Sequence, residues 1–417
     1  MNRPKFKQTE IGEIPEDWDV QTIADLPIDI IDGDRGINYP KKNEFENRGF
    51  CLFLNTKNVP GEHFDFTECD FINEERDRLL RKGKLQKGDI VLTTRGTVGN
   101  IAYYHKRIPY EHIRINSGMV IIRNGGEKFD TGYLYHLLKS PLVKQQYLSF
   151  ATGSAQPQLP IRDINKIKLT VPPILEQHSI AKILSDLDEK IELNHQMNKT
   201  LKSIAQAVFK QWFVDFEFPG YENTKFINGL PDGWREGKLI DVCDIVMGQS
   251  PPGETYNESG DGIVFYQGNR DFGFRFPVPR VYCTAPTRTA EALDVLISVR
   301  APVGALNITL EKCAIGRGVA ALRMKRYSNG FLFYFLSTRK DLWDRFNSEG
   351  TVFGCLNKTE FQKIDLIIPS DIVLRQFDTI IKSIEAMIHK NEVEIRLLVE
   401  IRDSLLPRLM SGKIKIN

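Results

Sequence analysis

The chain has 417 residues, 41% of them hydrophobic and 26% charged, with a formal net charge of +2. That length exceeds what one core usually organises and points to two or three domains; the composition is that of a globular protein in water, and no run of about 18 uncharged apolar residues is present to span a bilayer. Cys51, Cys69, Cys243, Cys283, Cys313 and Cys355 stand singly, with no CxxC pair and no histidine at zinc-finger spacing, so they read as reduced packing residues. A dispersed histidine such as His195 reads as structural or surface rather than as a metal ligand.

In chain order, the opening MNRPKFKQTEIGEIPEDW has basic residues but no apolar stretch behind them, which argues against a secretory signal and for the cytoplasm. From Arg76 to Arg123 there are 11 Lys/Arg against 3 Asp/Glu. Within this segment Asp89-Ile-Val-Leu and Met119-Val-Ile-Ile have the look of strands, punctuated by glycines. Residues 132–147 read as a helix packed on them, and Lys166-Ile-Lys-Leu-Thr-Val as another strand. Pro172-Pro173 then lead into a helical stretch in which Leu184, Leu187, Ile191, Asn194 and Leu201 fall on one heptad seam.

The second half follows the plan of the first. Ile14-Pro-Glu-Asp-Trp18 pairs with Leu230-Pro-Asp-Gly-Trp234 at an offset of 216, and DIVLTTRGTVG around Arg95 pairs with DVLISVRAPVG around Arg300 at 205. Ile115-Asn-Ser-Gly118 then meets Ile315-Gly-Arg-Gly318 at 200. The shrinking offset assigns extra residues to the first copy. A second basic segment, Arg270 to Arg345, carries 13 Lys/Arg against 6 Asp/Glu, with a strand at Ala320-Ala-Leu and a helix at 330–346. Each basic segment either neutralises DNA phosphates or is balanced by acidic neighbours in the fold. Past Pro369, Ile381, Ile384, Ile388, Asn391 and Leu398 repeat the seam at a constant offset of 197.

Each seam needs a partner to bury it, and the two helices can serve each other. About 35 residues of helix span roughly 50 Å. Asn194 and Asn391 occupy one equivalent seam position, where an asparagine either is buried and fixes the helix alignment or points to solvent. Pro407 is expected to kink or end the second helix. The fold expected is therefore two mixed α/β (α+β) lobes in tandem, joined by two long antiparallel coiled-coil helices. Its segments are a first lobe over 1–171, a first helix over 172–215, a second lobe over 216–369, and a second helix with the tail over 370–417.

Catalytic signatures are sparse. No GxxxxGK(S/T) phosphate loop occurs, nor the glycine-rich turn or the DPPY-like tetrapeptide of an amino-methyltransferase. Asp232, Glu236 and Lys238 superficially resemble a nuclease triad, but the repeat partner from Pro15 to Asp25 lacks the Glu-x-Lys, so Pro231 and Trp234 read as domain-opening residues.

The strings IPEDWDV and LPDGW, DIVLTTRGTVGNIA and DVLISVRAPVGAL, GSAQPQLPIRDINKIKLTVPPILEQHSIAKILSDLDEKIE, KQWFVDFE and LLPRLMSGKI together resemble the DNA-specificity subunits of type I restriction-modification systems over nearly the whole chain. The second junction departs from the pattern, reading IIPSDIVLRQF instead of PPxxEQ. The resemblance implies a subunit without catalysis of its own that binds double-stranded DNA. It would direct methyltransferase and motor-nuclease subunits to a bipartite asymmetric site, with no membrane role. Each lobe would read one half-site and the helix pair would set the gap and dock methyltransferase subunits. No cofactor is expected here; S-adenosylmethionine, ATP and Mg belong on the partners. The competing reading is a restriction-modification protein with its own methylation or cleavage activity.

Because Arg suits guanine and Asn or Gln suits adenine, polar and basic loop positions are the candidate base readers. These are Arg35, Asn38, Lys57, Asn58, Arg95 and Gln156 in the first lobe, and Gln249, Tyr256, Gln267, Asn269, Arg270 and Arg300 in the second. Arg95 and Arg300, just before a glycine-containing turn, read equally well as fold residues.

Overall fold

The apolar strings expected as strands pair into sheets whose plan is used twice. A computed structural model describes residues 5–126, 129–153, 157–348 and 355–416. They form two compact units, one reaching to Glu192 and resuming from Arg396, the other covering Leu193–Ile395. Among the described residues no helix is long and apolar enough to cross a membrane.

In the first unit a four-stranded antiparallel sheet has the order Ile28–Asp32, Met119–Asn124, Ile90–Thr93, Ile101–Tyr103. The second unit repeats it as Cys243–Met247, Val319–Met324, Val295–Ser298, Leu306–Ile308. A smaller sheet beside each holds a parallel pair, Cys51–Leu54 with Ile113–Ile115 and Ile263–Tyr266 with Cys313–Ile315. The central strands are apolar on both faces because both are covered: Val91 and Ile121 face one core, Ile90 and Ile122 another. The extra length of the first copy includes a short helix, Glu74–Leu79, that has no counterpart in the second. Its Asp77 is buried and receives Arg114 Nε at 2.6 Å.

The single helices expected over 132–147 and 330–346 are each two helices, Thr131–Lys139 with Pro141–Phe150 and Gly330–Thr338 with Lys340–Ser348. In the first copy the break follows from Pro141, which holds Ser140 in an extended conformation (ψ 151°) and starts a new helix at its own N1 position.

The long helices run Ile174–Phe213 and Asp371–Met410. Pro407 does not end the second one, which continues to Met410; a proline in the last turn forfeits only one backbone bond, and Ser411 N still donates to the Pro407 carbonyl at 3.2 Å. Within the second unit Asn194 Nδ2 donates to Glu394 Oε2 (3.0 Å) and Asn198 Nδ2 to Glu392 Oε1 (2.7 Å). Within the first, Arg402 Nη1 donates to Asp188 Oδ1 (2.9 Å). Rising numbers on one helix meet falling numbers on the other, so the pair is antiparallel. Of the seam, Leu184, Ile191, Asn194, Ile381, Ile384, Ile388 and Asn391 are buried, whereas Leu187, Leu201 and Leu398 are half-buried.

The helix ends are built into the lobes. Phe209, Trp212 and Phe213 close an aromatic cluster with Trp234, Phe331 and Phe377 in the second unit. In the first unit Leu409 and Met410 share a core with Ile14 and the fully buried Trp18, whose Nε1 donates to Glu176 Oε2 at 3.0 Å. Gly412 there has φ +67°, and a Cβ on it would lie 2.3 Å from Pro15 Cγ. These contacts explain why the opening Pro-x-x-Trp string, KQWFVDFE and LLPRLMSGKI occur in the chain together.

Candidate nucleic-acid interface

At the edge of each four-stranded sheet, the turn holding Arg95 or Arg300 is fixed by the same backbone bonds. Gly99 N donates to the Thr93 carbonyl and Gly304 N to the Ser298 carbonyl, each at 3.0 Å, and both glycines have φ +95°. Arg95 N and Val299 N donate to the carbonyls of Gly118 and Gly318, which tie this turn to the neighbouring one. The first strand of each sheet passes close by through Gly33 and Gly248, where a Cβ would meet the Asn116 or Gly316 carbonyl oxygen at 2.2 Å. Only glycine permits that approach.

In the second unit these segments enclose a polar cleft of about 260 Å³ lined by Gln267, Asn269, Arg300, Ser250 and Arg317, with no carboxylate among its lining residues. The cleft thus gathers three of the residues chosen from sequence. Gln249 and Arg270, adjacent to cleft residues, are also exposed. Tyr256 has a different role: its hydroxyl donates to the Pro251 carbonyl (2.8 Å) and its ring packs on Phe265, so it braces a loop. Arg317 and Ser250 were not among the sequence choices, although the flanking glycines of Gly316-Arg317-Gly318 mark a side chain held on a tight turn.

The first unit is arranged differently. Arg35 is exposed but ion-paired with Asp32 at 3.0 Å, and its Nη2 also reaches the Ser117 carbonyl at 3.4 Å. Arg95 is half-buried and has no side-chain partner among the described residues. Asn38 Nδ2 donates to the Leu79 carbonyl (3.3 Å), and Lys57 pairs with Glu68 at 3.0 Å. Asn58 is not available to a base: it is 2% exposed, and its amide donates to the Asp65 and Glu68 carbonyls. Gln156 lies outside the described residues.

Much of the basic charge belongs to the fold. Arg123 grips Asp89 through Nε and Nη2, both at 2.7 Å, and Arg323 grips Asp294 at 2.6 and 2.7 Å, one pair per lobe at equivalent positions. Arg76, Arg78, Lys84, Arg107 and Arg114 also have carboxylate partners. In the second unit Arg270, Arg288, Arg300 and Arg317 have none among the described residues, which leaves their charge to solvent or a ligand. Of the nuclease-like string, Lys238 pairs with Asp365 on the adjacent strand. Among the described residues no group of three or more His, Cys, Asp and Glu is arranged to hold a metal.

A second charged cluster lies on the long-helix side of each lobe. In the first unit Lys139 and Arg402 share Asp188 and Glu62. Burial works against ionisation of both carboxylates, but the surrounding cations outweigh it and hold their pKa values below the usual range. Burial, reinforced by Lys139, drops the pKa of His136 to about 3, so that it is a neutral group bonded to Ser185 at 3.1 Å. The second unit places Tyr334 and Glu385 at the corresponding positions. The Tyr334 hydroxyl donates to Glu385 (2.7 Å) and accepts from the fully buried Arg275 (3.1 Å), which lies over the Phe333 ring. The repeat keeps the place and changes the charges.

Comparison with known proteins agrees with this duplicated plan. The family described as Type I restriction modification DNA specificity domain matches residues 15–203 and 231–395. A Methanocaldococcus jannaschii protein, provisionally described as the type I restriction enzyme MjaX specificity subunit, is 29% identical over 99% of this chain and 97% of its own length. The HindI specificity subunit of Haemophilus influenzae is 23% identical over 92% of this chain and 98% of its own. The crystal structure of a type I restriction-modification S subunit from M. genitalium has the same fold, with a TM-score of 0.61 at 18% identity, covering 97% of this chain and 98% of that one. With both lobes matched, the chain belongs to the type I restriction-modification DNA specificity family.

Proposed function

We propose that this chain is the sequence-specific DNA-binding subunit of a type I restriction-modification enzyme. Each lobe reads one half of a bipartite asymmetric site through its sheet-edge turns. The paired helices set the gap and carry the methyltransferase subunits. The chain itself is non-catalytic and acts in the cytoplasm; S-adenosylmethionine, ATP and Mg are used by the methyltransferase and motor-nuclease partners.

The observation that carries this reading is the duplication of one lobe, with an arginine on the same turn in both copies, half-buried at Arg95 and exposed at Arg300, and amide and guanidinium groups without carboxylate partners among the described residues gathered in the second. Phosphate contacts by such cations position a protein on DNA, and amide and guanidinium groups can discriminate base edges. The candidate readers are Arg35, Asn38, Lys57 and Arg95 in the first lobe and Gln249, Gln267, Asn269, Arg270 and Arg300 in the second.

A gel-shift titration of the full chain over a salt series, with and without a methyltransferase subunit, tests the reading. Binding that weakens steeply with salt, with no turnover by the chain alone, is expected. Methylation or cleavage by the isolated chain would overturn the non-catalytic assignment, and absence of DNA affinity even with the partner would overturn DNA recognition.

A further inference from the structure

The turn Gly316-Arg317-Gly318 connects Cys313–Ile315 of the smaller sheet to the central strand Val319–Met324 of the larger one. Its backbone is clamped from two sides. Gly316 N donates to the Tyr266 carbonyl, and the Gly318 carbonyl accepts from Val299 N, each at 2.9 Å. A Cβ on Gly316 would lie 3.1 Å from the Phe265 ring, and one on Gly318 2.3 Å from the Gln267 carbonyl oxygen. The single side chain of the turn, Arg317, is therefore presented from a rigid support into the cleft shared with Gln267, Asn269 and Arg300. Its Nε lies 3.4 Å from Ser250 Oγ, and no described carboxylate pairs with it.

The first lobe supplies the contrast. By the registers of the two sheets, Asp32, Arg35 and Ser117 stand where Met247, Ser250 and Arg317 stand in the second. The arginine–serine pair is thus exchanged across the site, and the first-lobe arginine is held by a carboxylate that the second lobe replaces with methionine. A guanidinium serving only phosphates needs neither rigid support nor amide neighbours, because charge alone suffices there. One fixed on a clamped turn beside side-chain amides suits the paired O6 and N7 acceptors of guanine, which accept two parallel N–H bonds.

We propose that Arg317 is a specificity-determining residue of the second lobe, reading the major-groove edge of a guanine in the half-site that this lobe recognises. The inference rests on the DNA-specificity function proposed above. The first lobe, with Ser117 at this position, has no equivalent reader.

The test is methylome sequencing of a strain carrying the full chain with its methyltransferase partner, compared with strains carrying Arg317→Gln, Arg317→Ala or Arg35→Gln. Competition binding of each purified chain to single-substituted duplexes accompanies it. Both Arg317 variants are expected to relax or change one G·C position in one half-site, reducing discrimination there by about 10- to 100-fold. The other half-site is retained, and Arg35→Gln leaves that G·C position intact. An unchanged motif overturns the proposal, as does a change confined to A·T positions. Uniform weakening on all duplexes, with a salt slope reduced by about one ion, also overturns it and marks a phosphate contact. If the wild-type chain specifies no bipartite motif, the function proposed above fails; if the motif is bipartite and indifferent to Arg317, only this inference fails.

Discussion

At the scale of single residues, the Asp–Arg pairs are the clearest repeated device. Asp89 and Asp294 are each 1–2% exposed and stand at the start of a central strand; each also accepts a backbone N–H, from Gln86 or Glu291. Removing such a carboxylate leaves a guanidinium and an amide without their acceptor. Because the Arg323 side chain is half exposed and can be rehydrated, Asp294→Ala is expected to destabilise the second lobe by about 1–2 kcal/mol, measured as a lowered urea midpoint. His136 gives a pH dependence of known sign. Its pKa in the folded chain is about 3, against about 6.5 when unfolded, so below pH 6.5 the unfolded state takes up a proton that the folded state refuses. Stability is full above about pH 6.5 and falls by up to about 1.4 kcal/mol per pH unit as the pH drops toward the folded value. Below about pH 4 protonation of Glu62 and Asp188, whose pKa values are depressed, acts in the same direction. His136→Gln should flatten the urea midpoint of the first lobe between pH 6 and 4.5; an unchanged slope would show that another group controls it.

At the scale of elements, the long helices combine apolar packing with three buried asparagines. Asn391 Nδ2 donates to Asn198 Oδ1 at 2.9 Å, Asn198 donates onward to Glu392, and Asn194 donates to Glu394. Asn198 has Ile395 as its repeat equivalent, so the same seam position is polar in one helix and apolar in the other. Such groups cost stability but disfavour slipped pairings, because a shift of one heptad leaves them unpartnered. Asn391→Leu alone should cost about 1–2 kcal/mol by leaving the buried Asn198 Oδ1 without its donor. Asn198→Leu combined with Asn391→Leu should recover that loss or exceed it in thermal melts; a double variant no more stable than the single would mean that the pair is not coupled.

At the scale of the whole molecule, one lobe plan serves twice, and the chain uses the end of each long helix as part of a lobe core. Leu409 and Met410, at the end of the second long helix, belong with Ile14 and Trp18 of the first lobe. On the function proposed above, helix length is converted into base pairs. Deleting residues 191–197 together with 392–398 removes one heptad from each helix, roughly 10 Å of rise. The gap between half-sites is expected to shorten by about three base pairs, at about 3.4 Å per pair, with the half-site bases unchanged. Methylome sequencing that returned altered half-site bases at constant spacing would contradict a ruler.

The amino-acid sequence by itself determined the tandem repeat, the central strands of the large sheets, the heptad seams and the family, because each depends on local periodicity or on strings long enough to compare. Local signals also placed Gln267, Asn269 and Arg300 among the candidate readers. Only the tertiary structure decided which polar side chains remain free. Asn58 and Tyr256 are taken up by loop carbonyls, Arg35 by Asp32, and part of the basic charge from Arg76 to Arg123 by carboxylates inside that segment (Asp77, Asp89) and outside it (Glu44, Glu74, Glu189). Likewise, only folding revealed that Arg317 stands on a clamped turn beside Arg300 with no carboxylate partner among the described residues. The physical reason is that hydrophobic pattern is written along the chain, whereas the partner of a charge or an amide is whatever group the fold brings within about 3 Å, often a hundred residues away.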